Sequence, residues 1–328
     1  MVIGNGFSYF HANYRKPNIK SEMLTRKFKI TLKKVASFFS VIRGYNIWVI
    51  ALAQYLSAIF ILAPEKRALA ILLDWHLLLI VVASILTIAS GYIINNFYDA
   101  KKDLINRPKK AMIDRLVSQE TKLKVYFTIN CIVALLMFFI SWRAVFFFST
   151  YIFLIWFYSH KLKKIFLIGN ITAAVLAVLP FFGILMYYKN FYPVIFAHAS
   201  FLLLLIIIRE MIKDLENMEG DLIADYKTIP VIFGEKITKI VITLLITITL
   251  IPVYLLIEIY DVGYMDIYFY LSLIGLLLFG TLLWKATSKT AYLQLHFLLK
   301  LIIVAGVFSI VLIEPTVLIH GKKLISTY

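Results

Sequence analysis

An all-α bundle of about nine membrane-crossing helices is the fold this sequence predicts, and three observations predict it. Of 328 residues, 62% are apolar and only 16% charged, and the mean hydropathy is +0.87. That is more apolar surface than a water-soluble chain can hide, so much of it must face lipid. Nine windows approach the run of roughly 20 apolar residues that a spanning helix requires. The 34 Lys and Arg outnumber the 18 Asp and Glu, and this excess is gathered in loops. The same composition is too apolar for a disordered basic tail or a soluble nucleic-acid binder, so no nucleic-acid partner is expected. The lone cysteine, Cys131, excludes intramolecular disulfides and Cys-rich metal clusters. The first residues are polar and basic, without an apolar core ahead of a cleavage site, so no secretory signal peptide is expected.

In chain order, residues 1–42 read as a basic N-terminal segment. There Arg26, Lys27, Lys29, Lys33 and Lys34 interleave with Phe28, Ile30, Leu32 and Val35, which suits either an interfacial helix on an anionic leaflet or a solvated tail. Residues 43–320 form the membrane domain, and 321–328 a short tail. The spans fall near 46–63, 75–94, 123–141, 144–158, 165–188, 193–212, 237–257, 266–284 and 296–319, separated by loops carrying charge, Pro or Gly. Ser141, Trp142 and Arg143 make a tight turn between the third and fourth. With the N-terminus inside, the cytoplasmic segments hold 28 of the 34 Lys and Arg. The positive-inside rule then orients a multi-pass protein of the cell's inner, cytoplasmic membrane.

Acidic residues are unevenly spread. Eleven of 18 lie in the loops after the second and sixth spans. Carboxylates crowded at helix ends repel one another and are costly to desolvate, so they call for a cation. The two loops read Asn95-x-x-x-Asp99-x-x-x-Asp103 and Asn217-x-x-x-Asp221-x-x-x-Asp225, offset by 122 residues throughout. On a helix, residues four apart share a face, so each motif is expected to present an amide and two carboxylates as a ladder. Such oxygen ligands, with room left for phosphate, suit Mg2+. The repeat also divides the chain into two four-helix units with a ninth helix added.

Basic residues flank the acid: Arg107, Lys109, Lys110 and Arg115 after the first ladder, Lys161, Lys163 and Lys164 after the fourth span, and Lys213 and Lys227 around the second ladder. Metal ligands beside cationic donors fit a polyanion, and diphosphate fits best. Neither a Gly-x-x-x-x-Gly-Lys loop nor a Gly-x-Gly-x-x-Gly turn is present to bind a nucleotide.

The ladders, with Ile105-Asn106-Arg107-Pro108 after the first and Tyr226-Lys227-Thr228-Ile229-Pro230 after the second, resemble the UbiA superfamily of intramembrane prenyltransferases. Arg43-Gly44-Tyr45-Asn46, Tyr158-Ser159-His160-Lys161 and Ile168-Gly169-Asn170 extend the likeness over about residues 43–315. The run from Arg209 to Asp221 is most similar to the ether-lipid branch, the digeranylgeranylglyceryl phosphate synthases. Asn217 departs from the pattern, standing where the superfamily usually opens the second ladder with Asp. Met112-Ile113-Asp114-Arg115 also interrupts the run that often follows Arg107-Pro108.

The resemblance implies an enzyme moving a polyprenyl group from an allylic diphosphate to a membrane-associated acceptor. It implies Mg2+ at Asn95, Asp99 and Asp103 and at Asn217, Asp221 and Asp225. It implies catalytic work by Asp99, Asp103, Asp221, Asp225, Arg107, Lys161 and Lys227, and substrate contacts from Arg43, Asn46, Tyr158, Asn170 and Lys213. Phe97, Tyr98, Trp156 and Phe157 are candidate cation-stabilising walls, or plain helix packing. The acceptor is a prenylglyceryl phosphate, an aromatic quinone precursor of the 4-hydroxybenzoate or 1,4-dihydroxy-2-naphthoate type, or a chlorophyll precursor. Membrane lipids are the surroundings, and no obligate protein partner is expected. A secondary transporter is the rival class, but its ionisable site would lie near the bilayer midplane rather than at the helix ends.

Overall fold

The computed structural model describes residues 19–319. The segments before and after, including the expected tail at 321–328, and the side chains of Arg26, Lys27, Lys29 and Ile30 lie outside the described residues. Among those described, every regular element is helical. Helix α1 covers Ile19–Val41, α2 Gly44–Ser57 with a π turn at Ala58–Leu62, α3 Ala68–Leu72 and α4 Trp75–Asp99. Short helices α5, Lys102–Asn106, and α6, Pro108–Asp114, lead to α7, Gln119–Phe138, and α8, Trp142–His160. Then come α9, Ile168–Tyr188, α10, Pro193–Glu216, α11, Met218–Ile223, and α12, Ile229–Tyr254. The chain closes with α13, Asp266–Lys285, α14, Lys289–Ser309, and α15, Thr316–Ile319. Eight described helices are long and apolar enough to cross a membrane, and a pair bent by 47°, Thr31–Val41 with Asn46–Leu62, makes a ninth. The protein is a multi-pass membrane protein.

Caps set the helix starts where the sequence offers short polar side chains. Asp74 accepts from the amides of His76 and Leu77 at 3.0 and 3.3 Å, opening α4. Ser141 accepts from Ala144 at 3.1 Å, so the expected tight turn between the third and fourth spans starts α8 cleanly. Pro193 stands at the first position of α10, where its missing N–H costs nothing.

Two apolar cores form. Ile93, Val133, Met137 and Phe148 belong to one, built from α2, α4, α7 and α8. Leu205, Phe269, Phe279 and Leu299 belong to the other, built from α10, α12, α13 and α14. Helix α9 feeds both, giving Leu176 and Ile184 to the first and Ala174 and Val178 to the second. The ninth span, α14, packs on α10 and α13 and reaches α2, closing the ring. Of the spans, α4 and α10 are the most deeply buried, and each ends in a ladder.

Neither ladder lies on one continuous helix, contrary to expectation. Helix α4 stops at Asp99 and the chain turns through Ala100 and Lys101 before α5, so Asp103 belongs to a new element. Asn217 is non-helical between α10 and α11, and Asp225 sits past α11 in the left-handed region at φ 56°. At the end of a 25-residue span, already ~37 Å long at 1.5 Å per residue, the chain has to turn to stay near the membrane surface.

Candidate functional site

A cavity of about 1010 Å³ opens at the ends of α4 and α10 and runs inward between α2, α9, α10 and α14. Its outer part is lined by charged groups and its depth by apolar ones, among them Ile88, Leu202, Ile206 and Val307. Small residues, Ala53, Gly91, Ala173 and Ala177, leave the bore open.

At the mouth, Asp99 is 8% exposed and takes three donors. Lys163 Nζ and Tyr226 Oη donate to Oδ1 at 2.7 and 2.8 Å, and Asn95 Nδ2 donates to Oδ2 at 2.9 Å. A carboxylate has about four acceptor directions, so one remains for a further ligand. Lys163 also donates to Asn95 Oδ1 at 3.1 Å. It reaches there because the 3-10 turn Leu162–Lys164 packs on Gly169, where a Cβ would stand 3.0 Å from the Lys163 carbonyl oxygen.

Across the mouth, Lys102 Nζ forms an ion pair with Asp221 Oδ1 at 2.5 Å. Burial works against the Lys102 charge, but Asp221 and Asp99 more than offset it and hold its pKa above the usual lysine value. Asp103 is pushed above the ordinary carboxylate range by burial and then by the Asp99 charge. Burial, followed by the same charge, raises the Tyr226 hydroxyl, so it remains a donor.

The two ladder regions touch through α5 and α11. The Gly220 amide donates to Asn106 Oδ1 at 3.2 Å. A side chain at Gly220 would begin 2.4 Å from that same amide group, so it would have to displace the Asn106 side chain from this bond. Arg107 is held by Glu216 at 3.0 Å, and Glu216 also pairs with His296 Nδ1 at 3.0 Å.

Arg43, Asn46, Tyr158, Asn170 and Lys213 all line the cavity, as do Asn95, Asp99, Asp103, Arg107 and Asn217. Asn170 donates to Asp214 at 2.7 Å, and Lys213 to Glu210 at 2.7 Å. Arg43 stacks over Tyr92 with 5.0 Å to the ring centroid. Asp221 is fully enclosed behind Lys102. Asp225, Lys161 and Lys227 are exposed and do not line the cavity. Nor do Phe97, Tyr98, Trp156 and Phe157, which pack on one another and on His160, with Trp156 stacked on that imidazole at 5.4 Å. Packing, not cavity wall, is their place.

The site includes Lys102 and Tyr92, which the sequence reading did not name, and gives a role to Lys163 and Tyr226, which it named as a flanking cation and a motif residue while assigning the catalytic place to Lys161 and Lys227. The Tyr226-Lys227 pair stood next to the second ladder, but only the fold turns the first inward and the second outward.

Among the described residues, no three carboxylate, imidazole or thiolate groups converge as a metal cage. A hard ion here would take amide oxygens, water and phosphate as its other ligands, which is how Mg2+ is usually held. The oxygens of Asn95, Asp99 and Asp103 fit that role. At the second ladder, Asn217 Oδ1 and Asp221 Oδ2 are buried acceptors with no hydrogen-bond donor.

The sequence profile of the UbiA prenyltransferase family matches residues 51–302. The digeranylgeranylglyceryl phosphate synthase of Methanobrevibacter smithii is 29% identical over 297 residues, spanning 83% of this chain and 98% of its own. A solved structure concerned with digeranylgeranylglyceryl phosphate synthase in membranes superposes with a TM-score of 0.64 at 21% identity, over 85% of this chain and 97% of that one. A UbiA homologue from Archaeoglobus fulgidus, bound to GPP and Mg2+, superposes with a TM-score of 0.63 at 16% identity, over 84% of this chain and 99% of that one. At such identities the two structures speak for the fold.

Proposed function

The chain belongs to the UbiA prenyltransferase family, and from that premise we propose that it transfers a polyprenyl group from an allylic prenyl diphosphate to a prenylglyceryl phosphate, forming an ether lipid. One observation carries the reading: a single cavity joins a mouth of carboxylates and lysines to an apolar bore inside the membrane. A prenyl diphosphate has the same two ends.

Lys163, Arg107 and Arg43 surround the mouth as fixed donors for the diphosphate oxygens. Asn95, Asp99 and Asp103 would hold Mg2+, which when bound supplies charge neutralisation to the departing diphosphate. Tyr226 and Lys163 fix the Asp99 rotamer from opposite residues of the fold, so the carboxylate is pre-set before substrate arrives. As the allylic C–O bond breaks, the apolar walls keep water from the cationic carbon until the acceptor hydroxyl attacks it, its proton passing to the released diphosphate. The choice of a phosphate-bearing acceptor is supported by the relative from Methanobrevibacter smithii and by two further cations in the cavity. Arg209 and Lys213 are both steered by Glu210, at 3.0 and 2.7 Å.

The N-terminus and the mouth are read as cytoplasmic, because 28 of 34 Lys and Arg fall on that side. The test of the reaction is direct. Purified protein with Mg2+, geranylgeranyl diphosphate and geranylgeranylglyceryl phosphate releases diphosphate and yields a product heavier by one prenyl unit. EDTA abolishes this, and Asp99→Ala lowers kcat by at least about a hundredfold, as loss of a main electrostatic contributor does. Full activity in EDTA would exclude the metal-assisted reading. A product formed only with an aromatic acceptor would exclude the ether lipid.

A further inference from the structure

The second ladder offers a metal far less than the first. Its last member, Asp225, faces solvent, and its first is the neutral Asn217. Its one remaining carboxylate, Asp221, has no exposed surface and does not line the cavity. Lys102 stands between Asp221 and the cavity. Its Nζ touches Asp221 Oδ1 at 2.5 Å and lies 4.2 Å from the Tyr226 ring centroid, while the side chain keeps 18% exposure toward the space where a diphosphate would sit.

We infer that the Lys102 ammonium, anchored by Asp221, is the second cation of this site, so that the enzyme binds its diphosphate with one divalent ion and one lysine. The inference rests on the prenyl-diphosphate reading above. An ammonium is a compact charge with three donors, so Lys102 can bond Asp221 and a phosphate oxygen together. A divalent ion at Asp221 would have to enter an enclosed position against the charge of Lys102, at a separation where like charges repel strongly in a low-dielectric site. Besides Asp221 Oδ2 and the Asn217 amide oxygen, the carboxylate within reach is Asp214 one helical turn back, whose Oδ2 already accepts from Asn170 at 2.7 Å, so the shell is more encumbered than that of the first ladder. At the first ladder, by contrast, Asn95, Asp99 and Asp103 all face the cavity.

The experiment counts ions. Purified protein is titrated with Mn2+ in the presence of geranyl S-thiolodiphosphate, an analogue that does not ionise, and free Mn2+ is read by electron paramagnetic resonance. Analogue binding is followed in the same samples by calorimetry. The expected result is one bound Mn2+ per chain. Lys102→Arg keeps the count at one, and Lys102→Met uncovers Asp221 and adds a second, weaker ion while lowering analogue affinity about tenfold at limiting Mn2+. Two ions in the unaltered protein overturn the inference, and that count needs no variant. A count of one in both the unaltered protein and a Lys102→Met variant of unchanged melting temperature overturns it as well. Failure of the analogue to bind at any Mn2+ concentration removes the prenyl-diphosphate reading itself, an outcome distinct from binding with two ions.

Discussion

Asn96 stands next to the first ladder but turns away from it. Its Nδ2 donates to Asp114 Oδ2 at 2.9 Å and its Oδ1 accepts from Lys122 Nζ at 2.8 Å. Asp114 in turn accepts from Ser40 at 3.1 Å and pairs with Lys110 at 2.5 Å. This buried bracket ties α1, α4, α6 and α7 together beside the mouth. Asp114→Ala strips the acceptor from a buried amide and from two other donors, and removing one partner of a buried hydrogen bond costs about 1–3 kcal/mol. The variant is expected to melt several degrees lower in detergent. An unchanged melting temperature would show the bracket to be idle. Composition grouped Asp114 with the site's acid, because charge and chain position cannot say which way a side chain turns.

Among the elements, α9 shows how a break in a helix is repaired. Pro180 lacks the N–H that would bond the Leu176 carbonyl one turn back. Tyr151 of α8 donates to that carbonyl at 2.9 Å, and Gln54 of α2 donates to the Pro180 carbonyl at 3.3 Å and to Ser84 of α4 at 3.1 Å. Tyr151 also lines the cavity, so the repair and the bore wall are one residue. Tyr151→Phe leaves the Leu176 carbonyl without a donor inside the membrane. A loss of about 1–2 kcal/mol in unfolding stability is expected, read by thermal or denaturant melting. Unaltered stability would mean that another group or a water takes over. The ladders belong to this scale too. Their spacing was visible in the sequence, but the turn after Asp99 and the non-helical Asn217 were not, since no Pro or Gly marks either break.

Over the whole molecule, the ring of spans places both ladders at one end, and the proposed orientation, drawn from the distribution of charge, puts that end on the cytoplasmic side. Orientation is testable with cysteine labelling in a Cys131→Ser background. Lys66→Cys and Lys161→Cys both alter exposed side chains, in loops at opposite ends of the spans. An impermeant maleimide added to intact cells is expected to label the first and not the second, and the reverse pattern would invert the topology. The sequence by itself determined what depends on composition and order: a helical membrane bundle, the near-positions of its spans, and the place of the two acidic motifs. Burial of apolar surface and unequal basic loops act along the chain, so they can be read from it. Only the tertiary structure decided which charges meet. It turned Lys163, Tyr226 and Lys102 inward, left Lys161, Lys227 and Asp225 in solvent, and set Lys102 against Asp221 across 119 residues of chain. Those choices depend on distances between segments far apart in sequence, which helix breaks and inter-helix packing set and local pattern does not encode.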